Sequence, residues 1–514
     1  MNVAVAVPSR RVPRWHAWCI EALRREPSLR VNVFAAGGED EPRGARVAGK
    51  SVVTVEVELD ALPPSDADLI VDLTPRGVPA AAPHGVWRFV LGEHDDVALP
   101  FGREVARGDD TYVAELIRRH DGREDTLRRG RFAVTRWYPI GLRVALAEIA
   151  RWPATFAAAL DARATLPSVP REPVVRRPLG AGGKARFGAS LGRRLAAACA
   201  TAAFEVDEWN VGFVDGDAAR VLSEEPFEVR WLPAPDPMTY IADPFVIERD
   251  GVRALLVETF DYADELGAID ALVLDDDDNV VRRTRALGNG SHLSYPYPVE
   301  IDGELYIMPE NSAANEVALY RCVAFPDQWE REAVVFPAFD GVDTTLFRHD
   351  GRWWAFCTRY SRGSTLALHA FHADSPRGPW SAHALNPIVV DVACARPAGQ
   401  PFVVDGKLYR PAQDCSDSYG GGLVIARIDE LTPASYREEI VRRIDARQLG
   451  RWCDGIHTLS FARGRIVIDG KRVYHDFRKA PHVVKRLREA ARRFRARRKA
   501  KDADVRLKTS ANVR

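Results

Sequence analysis

Four carboxylates occupy matched places in a sequence that repeats itself. Tight-turn pairs recur at Asp250-Gly251, Asp302-Gly303, Asp350-Gly351, Asp405-Gly406 and Arg463-Gly464, at a spacing of about 50 residues. Seven positions before these marks lie Asp243, Tyr295, Asp343, Ala398 and Ile456. Eight positions after them lie Glu258, Glu310, Thr358, Gln413 and Lys471. If the repeats are arranged radially, Asp243 and Asp343 face each other across one axis, and Glu258 and Glu310 fill equivalent slots on neighbouring units. Two carboxylates held across a small polar cleft suit glycosyl chemistry, where one acts as base or stabilises an oxocarbenium ion and the other tunes charge.

The residues beside these positions complete a candidate binding set. Arg396, Gln400 and His457 flank the first slot, and Asp414 adjoins Gln413 in the second. His292, Tyr295 and Tyr297 share one segment, and the tyrosines, with Trp353, Trp354 and Tyr419, offer faces on which a sugar ring could stack. Arg359, Arg396 and Arg410 could hold a phosphate or carboxylate of a sugar donor. The plain alternatives are structural. An Asp at the start of a strand often accepts backbone N–H bonds, a Trp-Trp pair is more often core than platform, a lone His is more often hydrogen-bonded than ligating, and Arg residues near Asp residues pair with them. No metal centre is expected.

The elements that must position these residues are short strands. Each repeat reads as a strand, a tight hairpin and a second strand, followed by about 30 residues that can supply two more. Four strands per repeat, five times over, is the signature of a five-bladed β-propeller, assigned to 206–475. EWNVGFV, just before the first repeat, is expected to be the outer strand that closes the ring. The first segment differs. MNVAVAVP, LRVNVFAAGG and ADLIVDLTP read as strands, and WHAWCIEALRRE, VAELIRRH and LRVALAEIARW as helices. This alternation predicts an open, mostly parallel α/β sheet over 1–150, joined by a helical connector over 151–205. The tail, 476–514, is strongly basic, and its stripe of Val483, Val484, Leu487, Ala491 and Phe494 predicts an amphipathic helix.

Composition narrows the class. The 514 residues exceed one ordinary core. Lys+Arg and Asp+Glu both number 72, so no global charge steers the chain toward nucleic acid, and no nucleic-acid partner is expected. The seven cysteines form no CxxC pair and read as reduced thiols. No signal peptide or membrane-spanning helix is expected, so the chain is placed in the cytoplasm, with the 477–501 tail as a possible peripheral contact on an anionic membrane at the inner face.

A family resemblance adds to this reading. ADPFVIE, SHLSYPY, YIMPEN, ALYRC, FPDQW, RGPWSAH, NPI, LYRPAQD and YGG, in that order through most of 230–440, resemble the N-terminal domain of plant glucosamine inositolphosphorylceramide transferase and its bacterial relatives. That domain is itself similar to the five-bladed propeller of glycoside hydrolase family 43. The resemblance implies a glycan-active protein, with a carbohydrate or glycolipid acceptor and an activated nucleotide- or lipid-phosphate sugar donor. It also places the plant protein's transfer activity in a different, C-terminal domain, which is not expected after residue 475. By the same resemblance Asp243 matches the hydrolase family's base and Asp343 its modulator. The fourth blade should then open with Glu-Gly-Pro, but it reads Ala398-Gly399-Gln400-Pro401. Loss of that acid favours glycosyl transfer in surface polysaccharide or glycolipid synthesis. The alternatives are a family 43-like hydrolase or transglycosidase, with Glu258 or Glu310 as replacement acid, and a non-catalytic glycan-binding propeller. The first segment resembles the N-terminal domain of formyltransferases in its opening strand, ADLIVDL and PHGVWRF. It keeps His84 but not the Asn that should precede it, so formyl transfer is not expected. No GxGxxG or P-loop motif marks a nucleotide site there, since Gly37-Gly38 alone is weak.

Overall fold

The structure, a computed structural model, describes residues 1–36, 46–47, 50–51, 54–60, 66–75, 77–93, 101–167, 169–170, 182–462 and 464–479. The basic tail from 480, Arg463 of the last turn mark and Gly37-Gly38 lie outside them.

The first domain is a mixed sheet. Its strand order is Val169–Pro170, Arg123–Ala133, Thr111–His120, Val86–Leu91, Leu69–Asp72, Asn2–Val7, Arg30–Ala35. The last four pair in parallel, as the β-α-β pattern predicts, whereas Thr111–His120 and the two strands beyond it are antiparallel. VAELIRRH is therefore a strand, not a helix. Asp121 and Gly122 both adopt left-handed backbone, with φ of 47° and 74°. That is the two-residue turn a tight hairpin requires, and cross-strand ion pairs Arg118–Asp125 and Arg119–Glu124, each 2.9 Å, hold it. The expected helices do form at Arg14–Arg24 and Tyr138–Ile149. The supposed connector belongs partly to this domain. Helix Trp152–Asp161 buries Trp152 and Phe156 in the first core, and Val169–Pro170 joins the sheet edge. Helix Gly183–Phe204 then leads to the propeller.

The propeller has five sheets of at least four strands. Blades one to four begin with the inner strands Thr239–Arg249, Ser294–Ile301, Gly341–His349 and Phe402–Val404. The Asp-Gly marks are the hairpins between first and second strands. At Asp250-Gly251, Asp302-Gly303, Asp350-Gly351 and Asp405-Gly406 both residues have φ between 48° and 82°, which suits the right-handed twist of the paired strands. Blade five mixes the two ends of the domain. Its order is Arg230–Trp231, Glu205–Asp215, Arg465–His475, Leu459–Ala462. EWNVGFV thus closes the ring as the third strand rather than the outermost, pairing over its length with Arg465–His475.

The domains share a core. Leu366, Ala367, Leu385 and Val390 of blade three pack in the same cluster as Trp87, Phe132, Trp152 and Phe156.

Candidate functional site

A repeated irregularity aims the axial side chains. The first ladder of blades one, two and three slips register between Ala242 and Phe245, Ser294 and Tyr297, and Val342 and Thr345. Inside these bulges Asp243, Tyr295 and Asp343 adopt φ of 52°, 46° and 49°. Left-handed backbone is costly for a side chain other than Gly, and bulges of this kind re-aim residues at functional sites. Blade four differs because its chain runs against blade five. Gly399 has φ of 127°, and a Cβ there would stand 1.8 Å from the Leu459 carbonyl oxygen. Ala398, where the resemblance expects an acid, is sealed in a hydrophobic core.

Asp243 is held from three sides. Thr458 Oγ1 donates to Oδ1 at 2.6 Å, the Tyr295 N–H donates to Oδ2 at 3.0 Å, and His457 Nε2 stands 3.6 Å from Oδ1. Burial pushes its pKa up to about 6; Asp343 and Asp469 add to the rise, while His457 and Thr458 oppose it. His457 is clamped from the other side, with Nδ1 2.6 Å from Asp469 Oδ2 and its ring stacked on Trp209 at 4.0 Å. Burial works against charge on His457, but Asp469 and Asp243 outweigh it and raise its pKa.

Asp343 is committed to a salt bridge. Arg396 Nε donates to Oδ2 at 2.6 Å and Nη2 to Oδ1 at 3.1 Å, while Gln413 Nε2 donates to Oδ2 at 3.0 Å. Arg396 also lies 5.0 Å from the centre of the Tyr419 ring and 3.6 Å from Glu310 Oε2. Glu310 accepts from Ser312 Oγ at 3.0 Å through Oε1, and its Oε2 accepts no hydrogen bond among the described residues. Burial and the neighbouring Asp343 push its pKa up to about 8 against the pull of Arg396. Glu258 accepts from Tyr240 at 3.2 Å and lies 3.5 Å from His292 Nε2. The His292 Nδ1 accepts the Gly267 N–H at 2.9 Å, which leaves Nε2 as the N–H facing Glu258. Burial and Asp243 raise the Glu258 pKa well above the carboxylate range. Asp343 acts on Asp243, Glu258 and Glu310 alike, so the four carboxyl groups share one axial environment.

Not all of the expected residues meet there. Tyr295 is 0% exposed; its hydroxyl pairs with Thr345 Oγ1 at 2.8 Å and accepts the Gly399 N–H at 2.9 Å. Tyr297 is equally buried and donates to the Leu346 carbonyl at 2.7 Å. Neither buried ring is presented to a sugar at the axis, and Tyr297 lines the cavity that also holds Gln400. Tyr419, 40% exposed, keeps such a face. Trp354 is core. Arg359 pairs with Asp340 at 2.7 Å and Arg410 with Glu438 at 2.6 Å, so their charges are met within the fold. Gln400 lines a separate cavity of about 300 Å³ with Pro298, Trp353 and Val403. Asp414 pairs with Arg443 and lines another, of about 500 Å³, with Asp417, Asp445 and Asp454.

Asp469 and Thr458 are the functional neighbours that sequence reasoning missed. Asp469 is 0% exposed and accepts the backbone N–H of His457, Thr458 and Asp243. A charged residue inside the apolar run IVIDG was the available signal. Donor atoms of Asp243, His457 and Asp469 lie within 4.8 Å of one another, the arrangement among the described residues that could approach a metal ion. Asp469 is already filled by N–H groups, so only His457 Nε2 and Asp243 remain to ligate, fewer than a closed protein site supplies.

Residues 232–457 match the family described as glucosamine inositolphosphorylceramide transferase 1, N-terminal. The chain is 36% identical over 208 residues to glucosamine inositolphosphorylceramide transferase 1 of Oryza sativa subsp. japonica, covering 39% of this chain and 28% of that one. It is 32% identical over 222 residues to the Arabidopsis thaliana protein of the same name, covering 42% and 29%. The match thus spans less than a third of these relatives' length. Among solved structures, a β-xylosidase aligns over 42% of this chain and 80% of its own, at 16% identity and a TM-score of 0.34. A family 117 glycoside hydrolase from Zobellia galactanivorans aligns over 53% and 91%, at 13% identity and the same score. The fold assignment rests on the strand order above. In sequence, residues 232–457 are similar to the glucosamine inositolphosphorylceramide transferase 1 N-terminal family, and they lie in a propeller that follows a separate α/β domain.

Proposed function

We propose that the propeller axis is the active site of a glycan-active enzyme that transfers a glycosyl group to a carbohydrate or glycolipid acceptor. One observation carries the reading: the axial carboxyl groups are held in unequal states. Asp243, with a pKa of about 6, is poised to lose its proton near neutral pH, while Glu310, at about 8, keeps its proton there. A base and an acid with separated pKa values are what glycosyl chemistry needs. In this reading an acceptor hydroxyl attacks the anomeric carbon, its proton passes to Asp243, and the bond to the leaving oxygen breaks with its electron pair on that oxygen, which takes up the Glu310 proton as it departs. Tyr419 offers the stacking face, and Arg396 with Asp343 fixes the floor. The sequence relatives are glucosamine inositolphosphorylceramide transferases by name, which supports transfer, with a nucleotide- or lipid-phosphate sugar as donor and synthesis of surface polysaccharide or glycolipid as the setting. Work at the cytoplasmic face of a membrane, with the basic 477–501 tail against anionic lipid, fits that setting.

The second reading is hydrolysis or transglycosylation. It is favoured by Glu310 itself, because a protonated carboxyl can donate to an unactivated leaving group although the acid expected at Ala398 is absent. Screening activated sugar donors against glycolipid and oligosaccharide acceptors, beside aryl glycosides, separates the two. Asp243→Asn and Glu310→Gln should each abolish turnover or nearly so. Sugar binding without turnover, unchanged in Asp243→Asn, would leave a glycan-binding scaffold instead.

A further inference from the structure

The seam between the two domains gathers charge that the axial site does not use. Helix Tyr138–Ile149 of the first domain lies against the Tyr360–Arg362 turn of blade three; a Cβ on Gly363 would stand 3.0 Å from Val144 Cγ1. Arg128 crosses the seam, donating through Nη2 to the Leu385 carbonyl at 2.7 Å with its guanidinium 4.7 Å over the Phe156 ring. Its Nη1 is buried and has no hydrogen-bond partner among the described residues. Glu148 is 1% exposed, neither of its oxygens accepts a hydrogen bond there, and Arg151 Nη1 stands 3.5 Å away. His369, 5% exposed, has no partner at Nε2 among the same residues. Burial first, then the charges of Arg362, Arg359, Arg128 and Arg151, keep it neutral. Arg362 lies within electrostatic range of Arg151, Glu148, Arg359 and Asp340, and no ion-pair partner within salt-bridge distance is found for it among the described residues. Arg359 is already matched by Asp340.

Three guanidinium groups, Arg128, Arg151 and Arg362, thus stand around Glu148; Arg151 is 42% exposed and Arg362 half-buried, whereas Arg128 Nη1, both Glu148 oxygens and His369 Nε2 are buried without hydrogen-bond partners among the described residues. Buried donors almost always have partners, and uncompensated buried charge is strongly unfavourable. An oxyanion would meet the surplus, since guanidinium forks match phosphate oxygens. The free Glu148 oxygens are acceptors, so they call for a ligand hydroxyl beside that anion. We propose that the seam binds a phosphate flanked by hydroxyl groups, the chemistry shared by a sugar phosphate donor and an inositol phosphate lipid headgroup. The proposal deepens the glycosyl-transfer reading and rests on it only for the choice of ligand.

The test uses the full chain and reads binding rather than turnover. Glucose 1-phosphate is titrated by calorimetry, and vesicles of phosphatidylinositol in phosphatidylcholine are tested by co-sedimentation against phosphatidylcholine alone. Saturable binding of the soluble ester, weakened about tenfold or more in Arg362→Gln, supports the proposal and assigns a soluble donor. Vesicle binding with the same sensitivity supports it and assigns a lipid headgroup. Arg362 has no ion-pair partner to strand among the described residues, so this variant should fold; Arg128→Gln, with its thermal midpoint checked, is the second. No binding of either probe, or binding that ignores both substitutions, overturns it. Asp243→Asn should retain phosphate binding while losing turnover, so failure of the seam and failure of the axial chemistry give different results.

Discussion

Arg396 grips Asp343 with two nitrogens, Nε at 2.6 Å and Nη2 at 3.1 Å, one to each carboxylate oxygen. Asp343 is 1% exposed, and Gln413 is a further side-chain donor to it. The pair ties one of the four clustered carboxyl groups on the axis to a buried guanidinium. Removing one member of a buried pair leaves an unmatched charge, at a cost of about 3–5 kcal/mol. Arg396→Met should therefore lower stability by that order in urea unfolding. Asp343→Asn in the same chain should recover much of it, because the isosteric amide carries no charge to strand. A single Arg396→Met variant as stable as the parent would show that the grip contributes nothing.

The unequal carboxyls set a pH profile. If Asp243 must be ionised and Glu310 protonated, turnover rises as pH passes about 6 and falls as it passes about 8. Asp243→Asn should cost roughly 10²–10⁴-fold in kcat, the usual contribution of a positioned acid or base. Glu310→Gln should remove the alkaline limb with whatever activity survives. An alkaline limb that persists in Glu310→Gln would assign that titration to another group.

The same shift makes a stability claim of opposite sense to an ordinary surface carboxylate. The folded-state pKa of Glu310 is raised above its unfolded value, so the folded chain binds the proton more tightly. Its contribution is fully present below the unfolded pKa, near 4.5, and is lost as pH rises through about 8. Glu310→Gln, which cannot ionise, should gain stability relative to the parent between about pH 5 and pH 9, by a few kcal/mol in order of magnitude. Equal urea midpoints for the two chains at about pH 9 would contradict this.

How far the sequence could be read follows from which interactions are local. The propeller was legible because Asp-Gly turns specify left-handed backbone at two successive residues, and equal offsets from those turns located Asp243, Asp343, Glu258 and Glu310. Side-chain partners were not legible where they come from other blades. The tyrosine at the slot equivalent to Asp243 looked available to a sugar, yet Thr345 of blade three and Gly399 before blade four lock its hydroxyl. Arg396 reads in sequence as a contact for a donor, but the Asp343 beside it in space is 53 residues away in sequence. Thr111–His120 read as a helix because its apolar run fits either period; the Asp121-Gly122 turn decides it, and that cue was present.

Packing around His457 depends on one glycine. Gly420 has φ of 60°, and a Cβ there would meet both the His457 Cβ and the Trp209 ring at 2.8 Å. Gly420→Ala combines backbone strain with a clash and should destabilise the chain by about 1–3 kcal/mol. The displaced imidazole would also release Asp243, so the acid limb of the rate profile should move. Gly421→Ala, with ordinary backbone and looser neighbours, is the matched control.

Asp469 gives the sharpest separation between scaffold and chemistry. It is a positioning residue: its two oxygens receive the N–H groups of His457, Thr458 and Asp243, with His457 Nδ1 2.6 Å from Oδ2. Asp469→Ala would orphan three buried donors, each costing about 1–3 kcal/mol, and the first and fifth blades would part where the ring closes. Asp469→Asn keeps one acceptor oxygen but turns an NH₂ group toward donors, so it should fold with a lower thermal midpoint. It also removes the negative charge that raises the His457 pKa, so the imidazole should titrate at lower pH, readable by NMR of the ring protons. An unshifted His457 titration in a folded Asp469→Asn chain would mean that Asp243 alone sets the charge of the imidazole, and the clamp would then be purely mechanical.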